Sequence, residues 1–590
     1  VKFIRFQAYI TSLLLCLLFC GTAAAQKVNE YTFFKGTQYP LRVTWIKGDL
    51  PGPTIMVQGG IQGDEVSGFF TAQLLTKARL KKGNLIIVPR ANEPSILKRR
   101  RQINVDLNRR FDRDYNHFYE DRLARAIRFL VGHADGFIHL HEGSGFYCPT
   151  YKGVLRNPDR YGQSFIIDTE IYKGKIHLAD MCTKAIKKLN SQIRNSAYHF
   201  TLFNTDTFAK ATHYPEMRKS LTFYTLVERG IPAMAVEVSK DIMNVNWKVH
   251  QQLKATVFLL KEFGLQLEVP DFSLPRGKNS EKISISINGR PLAGSSLNLA
   301  RGSVVETSER ELKDNGLDPA IAVYASDRPG LNLLNAPRMA LSPFPSIEVN
   351  MDGDRLSTSK VNWKGFQRVE ASQQDPVFVC WLNGKAEFIP ASGVLKAVEG
   401  DQIILEGVLG SHKEEILNLK GFVASLSSNN GQDVGYEIIA DPGNFMQKYE
   451  LDSSGNETSV FRVVRETPGV KRTHFDISIS PRKIEALKLK DANGGIFLMG
   501  WQKGSGRVLP AGSYTLEDVW SNGNTAKIQP FIGGEPVAWG QSFNISNGQS
   551  MNLTLRQGTT FSLLGSMELR GSGYIQSASK SVSFGKEKIN

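Results

Sequence analysis

The stretch Thr54-Ile55-Met56-Val57-Gln58-Gly59-Gly60-Ile61-Gln62-Gly63-Asp64-Glu65 decides the reading of the fold. Thr54–Val57 reads as a short buried strand, and the glycines behind it let the backbone turn tightly. Next, Phe69–Leu80 carries apolar residues at three- and four-residue intervals, the spacing of a helix packed on one face. The same alternation continues outward. Leu85–Val88, Gly136–Leu140 and Ala233–Val238 read as buried strands, and Arg122–Leu130, Ile176–Leu189 and His250–Phe263 as amphipathic helices. Such alternation predicts an α/β domain, a mixed or mostly parallel sheet flanked by helices.

After Pro270 the pattern changes to short alternating segments punctuated by Gly, Pro, Asn and Ser. Glu414–Ser425, Val460–Val464 and Phe475–Ile479 read as strands, with turns at 350–353 and 453–455. This predicts all-β C-terminal modules, sandwiches or small barrels. A chain of 590 residues, 41% hydrophobic and 22% charged, suits roughly three to five folded domains. The expected division is a signal peptide at 1–25, a catalytic α/β domain at 26–272, a β-rich domain at 278–372, an Ig-like sandwich at 374–488 and a last β domain at 490–590.

Residues 1–25 combine basic Lys2 and Arg5, an apolar run Ile10–Phe19 and the small residues Ala23-Ala24-Ala25, the pattern of a cleaved secretory signal. No later stretch is long and apolar enough for a membrane helix, so a periplasmic protein without a membrane span after cleavage is expected. Cys148, Cys182 and Cys380 remain, too few for a disulfide framework, and read as buried structural thiols. The net charge of +15 favours acidic partners, among which export selects the cell wall. The run Lys98-Arg99-Arg100-Arg101 reads as a solvated basic loop, and no nucleic-acid-binding motif accompanies it.

Several chemically useful side chains fall at predicted strand ends, where open α/β sheets place their sites. Gln62 and Glu65, three apart, can point from one turn at a common position, although a plain strand–helix turn has the same composition. His141 follows the third strand; it is either a structural histidine or the last of three metal donors in a site with an open position. Glu237 places a carboxylate inside an apolar run, which is costly without a partner. Asn104-Val105-Asp106-Leu107-Asn108-Arg109, with Arg101 just before it, offers amide and guanidinium groups that suit a carboxylate or a network of structural salt bridges.

Taken in order, Gly-Gly-x-x-Gly-Asp-Glu, Asp-Leu-Asn-Arg, Leu-His and a strand carrying glutamate resemble the carboxypeptidase A-type metallocarboxypeptidases over roughly residues 50–265. That resemblance implies one zinc ion, Glu65 and His141 as ligands, and Glu237 as general base. It also implies Asn108 and Arg109 at the substrate's terminal carboxylate and Arg101 at the scissile carbonyl. The family's usual first ligand is a histidine, and Gln62 stands in its place. A Gln-x-x-Glu motif is similar to that of the cell-shape-determining peptidoglycan DL-carboxypeptidases of helical and curved bacteria. Those imply a muramyl tripeptide cut at the D-Glu–diaminopimelate bond, so that peptidoglycan muropeptides become the expected substrates. Thr222 and Tyr224 lie where the family offers a hydroxyl near the substrate. The β modules offer surfaces for protein partners. Two other readings stand beside this one: a deacylase of the aspartoacylase type, and a non-catalytic wall-binding protein with a degenerate zinc site.

Overall fold

A computed structural model describes residues 26–573 apart from 272–283, 293–294, 311–318, 329–331, 335, 342, 366–375, 412–413, 425–428, 452–456, 503 and 505. The expected signal segment, the turn at 453–455 and the boundaries near 277 and 373 therefore lie outside the described residues.

The first part is the predicted α/β unit. Its strands are β1 (Lys27–Phe33), β2 (Leu41–Lys47), β3 (Leu50–Gln58), β4 (Arg79–Val88), β5 (Gly136–Gly143), β6 (Ser164–Ile167), β7 (Thr201–Asn204), β8 (Ala233–Ser239) and β9 (Gln266–Glu268). They form one sheet in the order β1-β2-β4-β3-β5-β8-β6-β7, with β9 added against β4. The centre is parallel: β4, β3, β5 and β8 run together. The flanks bring in antiparallel pairings, β2 on β4 and β6 on β8. Strands β5 and β8 are buried along their whole length, which is why their sequences are continuously apolar apart from the site residues. Four helices cover the sheet: α1 (Val66–Leu75), α2 (Tyr119–Val131), α3 (Leu178–Asn190) and α4 (Val245–Glu262).

Helix α1 is shorter than the Phe69–Leu80 pattern predicts. It ends where the Thr76 hydroxyl donates to the carbonyl of Gln73 at 2.7 Å. From Arg79 the chain is already a strand, longer than the predicted Leu85–Val88, because its ladders with β3, β2 and β9 outweigh the local helical spacing.

Beyond Pro270 the described residues are β-rich, as expected, and are organised around three further hydrophobic cores at 285–361, 378–479 and 487–569. The second consists of two four-stranded sheets face to face. The third core begins earlier than the boundary expected at Leu489, which lies inside the strand Ile484–Asp491. Its neighbour in the chain, Thr473–Ser480, belongs to the preceding sheet, so the change of sheet falls between Ser480 and Ile484. Among the described residues of the predicted Glu414–Ser425 strand, only Leu417–Leu419 is extended in a ladder. Cys148, Cys182 and Cys380 are free and buried, as expected. Among the described residues no helix is long and apolar enough to cross a membrane.

These units are packed together. Arg90 of the α/β unit makes a buried two-point salt bridge to Asp352 at 2.9 and 3.0 Å. Asn116 donates to Asp441 at 2.9 Å. The last unit returns to the first: Phe531 and Phe561 are wholly buried in the α/β core beside Phe33, Phe34 and Phe129. Phe531→Ala removes the ring that touches both Phe33 and Phe129. It should cost about 3–5 kcal/mol of stability, as buried Phe→Ala changes do, measured by urea denaturation of the whole chain. A change of less than about 1 kcal/mol would mean that this aromatic contact contributes little.

Candidate active site

The carboxyl ends of β3, β5 and β8 and the turns behind them enclose a pocket of about 310 Å³. Its first wall depends on the glycines. Gly60 has φ +67°, and a Cβ on Gly63 would meet the backbone of Ser95 at 2.0 Å. That close approach lets the amide of Gly63 donate to the carbonyl of Arg100 at 2.9 Å and to the hydroxyl of Ser95 at 3.0 Å. The turn then delivers Gln62 and Glu65 into the pocket just before α1 begins.

The second wall is a matter of register. His141 on β5 stands directly beside Glu237 on β8. Below them Gln252 of α4 donates to the carbonyls of His141 and Val236 at 2.9 and 3.1 Å, and accepts from Thr71 of α1 at 3.2 Å. Glu142, on the opposite face of β5, accepts from the Ser67 amide at 2.6 Å and pairs with buried Lys248 at 2.7 Å. Both helices are thus fixed to the strand that carries His141.

Eight of the residues singled out from the sequence line this one pocket: Gln62, Glu65, Arg101, Asn108, Arg109, His141, Thr222 and Glu237. The Nδ1 of His141 lies 2.8 Å from Oε2 of Glu65. Burial pushes the Glu65 carboxyl well above its ordinary value and holds His141 below its own. Glu237 is pushed up to about 8, first by burial and then by the Glu65 charge, against the pull of His141. Its Oε2 is buried with no hydrogen-bond partner. An unpaired carboxyl oxygen in so dry a place is expensive, and such groups concentrate where chemistry needs them.

Asp106 organises the remaining polar groups. It accepts the Gln62 amide nitrogen at 3.1 Å on each oxygen, Arg101 at 2.7 and 3.1 Å, and the backbone N–H of Asn108 at 2.9 Å. Holding the nitrogen of Gln62 fixes the opposite, oxygen end of the amide. Asn108 in turn accepts from the Leu221 amide at 3.0 Å through its own oxygen, which leaves its NH₂ as the end still able to donate to a ligand. Arg109 donates to the Asn108 carbonyl and lies against Met217. Thr222 reaches the pocket, with its hydroxyl 3.0 Å from that of Ser220. Tyr224, the alternative expected there, packs instead toward Phe111 in the core and does not line the pocket.

Among the other residues that line the pocket, His139, Tyr161 and Lys240 carry functional groups that went unread in the sequence. His139 sits two residues before His141 on the same face of β5, with ring centres 4.0 Å apart. The period of the strand was its only available signal. Lys240 pairs with Asp64 at 2.5 Å. Tyr161 comes from an irregular segment and has no motif.

The donors that converge here are an imidazole, a carboxylate and an amide oxygen, a set that suits one divalent cation and leaves room for a further ligand. Comparison with known proteins bears on the same segment. Residues 41–281 match the catalytic domain of the family described as carboxypeptidases controlling helical cell shape. A curated relative, the N-alpha-acetyl-L-2,4-diaminobutyric acid deacetylase of Halomonas elongata, is 35% identical over 99 residues, 16% of this chain. The chain spans only 29% of that relative's length. Among solved structures, the tripeptide-bound cell shape determinant Csd4 from Helicobacter pylori is 21% identical, with 72% of this chain and 96% of that one covered and a TM-score of 0.43. The mDAP-bound form of Csd4, described as a D,L-carboxypeptidase, gives 21% and 0.42 at the same coverage. A metallo-carboxypeptidase from Burkholderia cenocepacia gives 14% and 0.30, over 41% of this chain and 64% of that one. Over residues 41–281, then, the chain is similar to the catalytic domain of that carboxypeptidase family.

Proposed function

We propose that the protein is a zinc-dependent carboxypeptidase that trims peptidoglycan stem peptides outside the cytoplasm, in the periplasm after export. Its substrate is a muramyl tripeptide, cut at the D-Glu–diaminopimelate bond, and the consequence is on cell shape. The observation that supports this most is the pocket itself: a buried, unpartnered Glu237 carboxyl oxygen on the strand next to His141, with Arg101, Asn108 and Arg109 lining the same pocket.

Gln62 through its amide oxygen, Glu65 and His141 would hold the zinc ion, which there supplies Lewis acidity toward the scissile carbonyl. Glu237, with its basicity raised by burial, takes a proton from the attacking water and delivers it to the leaving amine. Arg101, held on Asp106, faces the charge that develops on the carbonyl oxygen. The Asn108 NH₂ and the Arg109 guanidinium grip the free carboxylate at the cut end, which makes the enzyme an exopeptidase. Thr222 adds a hydroxyl to the substrate side of the pocket. The β units offer surfaces for protein partners.

A second reading, a deacylase acting on small N-acyl amino acids, is favoured by the 99-residue match to a deacetylase. Purified protein given muropeptides and N-acetyl amino acids in parallel, with products identified by mass, separates the two. Cleavage of the acyl amino acids alone would overturn the carboxypeptidase assignment.

Asp106→Ala frees the Gln62 amide to turn its nitrogen toward the metal. Zinc affinity should fall about 10–100-fold, as when other residues that orient ligands are lost, read by chelator competition. Unchanged affinity would show that Gln62 is not a ligand held by Asp106. Glu237→Gln keeps the shape and removes the proton acceptor. Turnover should drop by about 10²–10⁴ with zinc still bound, and a near wild-type rate would make Glu237 structural. Amidating the terminal carboxylate removes the group read by Arg109, so the free-acid tripeptide should be cut at least about tenfold faster than its amide. Arg109→Ala should narrow that gap, whereas Arg101→Ala should slow both substrates. Equal wild-type rates on acid and amide would remove the exopeptidase assignment.

A further inference from the structure

A second cavity, of about 390 Å³, lies at the seam where the α/β unit meets the first two β units. No part of the proposed chemistry uses it. Lys98, Arg100 and Arg122 stand in its wall on the α/β side, and Glu437 is the one carboxylate among its lining residues. That carboxylate is already engaged, accepting the backbone N–H of Gln38 at 3.1 Å. The half-buried rings of Phe118, Phe422 and Tyr436 complete the walls.

Three residues of this wall carry buried polar atoms with no hydrogen-bond partner: Nε2 of Gln38, Nε of Arg122 and Oδ1 of Asn444. Arg122 and Asn444 are each only 6% exposed. Groups so placed are ordinarily satisfied by a ligand or an ordered water, since leaving them unpaired carries the full desolvation cost. An amide donor, an amide acceptor, an excess of cationic groups and aromatic faces together complement an acylated amine, a carboxylate and the C–H face of a sugar ring.

We propose that the seam cavity is a binding site for an N-acylated amino sugar that bears a carboxylate. The choice of this ligand class rests on the cell-wall reading; the existence of the site does not. The basic run Lys98–Arg101, which the sequence presents as a solvated loop, acquires a role. Lys98 and Arg100 face the seam, and Arg101 faces the catalytic pocket. The carbonyl of Arg100 also holds the Gly63 amide, next to Gln62. One turn therefore borders both cavities.

The test is calorimetric titration of the full chain with N-acetylmuramic acid and, as the neutral counterpart, N-acetylglucosamine. The acid should bind at least about tenfold more tightly, the effect of one charge-assisted contact. Arg100→Glu, an exposed position, should weaken it by a similar factor. Tyr436→Ala on the opposite wall should do so too, and guards against a disturbed turn in the first variant. Arg109→Ala, in the other pocket, should leave binding unchanged. No binding by the wild type, equal binding of the two sugars, or loss in Arg109→Ala with retention in Arg100→Glu would each overturn the proposal. Stem-peptide hydrolysis by the same wild-type sample separates the two readings. Hydrolysis without sugar binding removes the seam site alone, and sugar binding without hydrolysis removes only the peptidase.

Discussion

The carboxylate of Asp106 is the interaction on which the pocket depends. Burial alone would raise its pKa, yet Arg101, Arg109 and the bond from Gln62 hold it below the usual carboxylate range. One ionised group thereby sets the orientation of an amide on the β3 turn, of a guanidinium five residues upstream and of the backbone that presents Asn108. A histidine in place of Gln62 would be confined by its own ring geometry. A glutamine has an extra rotatable bond and two ends of nearly equal shape, so its useful end must be chosen by a partner. Asp106 makes that choice electrostatically.

The sheet supplies what Asp106 cannot. Parallel pairing puts His141 and Glu237 side by side with no sequence motif linking them. The amide of Gln252 bonds to a carbonyl on each of the two strands and reinforces that register from beneath. Glu142 shows how the same strand serves both faces. Its neighbour His141 points into the pocket, while Glu142 ties the N-terminus of α1 and Lys248 of α4 to the scaffold.

Much of this was legible in the sequence. Strands β3, β5 and β8 are nearly continuous apolar runs, so a polar residue inside or behind them stands out, and Gln62, Glu65, His141 and Glu237 did. The edge strand β1 and its neighbour β2 were not read. β1 alternates exposed and half-buried residues with a charged content that looks like a loop, and only pairing with β2 makes it a strand. Local spacing also failed at 76–80, where helical periodicity ran on past the end of α1 and into the first residues of β4. His139 was hidden because a histidine inside an apolar run reads as core. Tyr161 was hidden because nothing in an irregular segment foretells which way a side chain turns. The return of Phe531 and Phe561 to Phe33 and Phe129 joins residues hundreds of positions apart, which no local pattern encodes.

That return has a bearing on how the chain acquires its structure. Contacts of such long separation form late, because the entropy of closing the intervening loop must be met before they reward it. Until the last β unit has been made and folded, Phe33, Phe34 and Phe129 lack the cover that Phe531 and Phe561 give them, and the emerging α/β unit exposes an aromatic face. Exposed faces of this kind drive association between incomplete chains. A chain cut short before Phe531 would therefore be a poor fragment in solution even with every residue of the pocket present. The time between the first unit and the last is when the molecule is most exposed to aggregation.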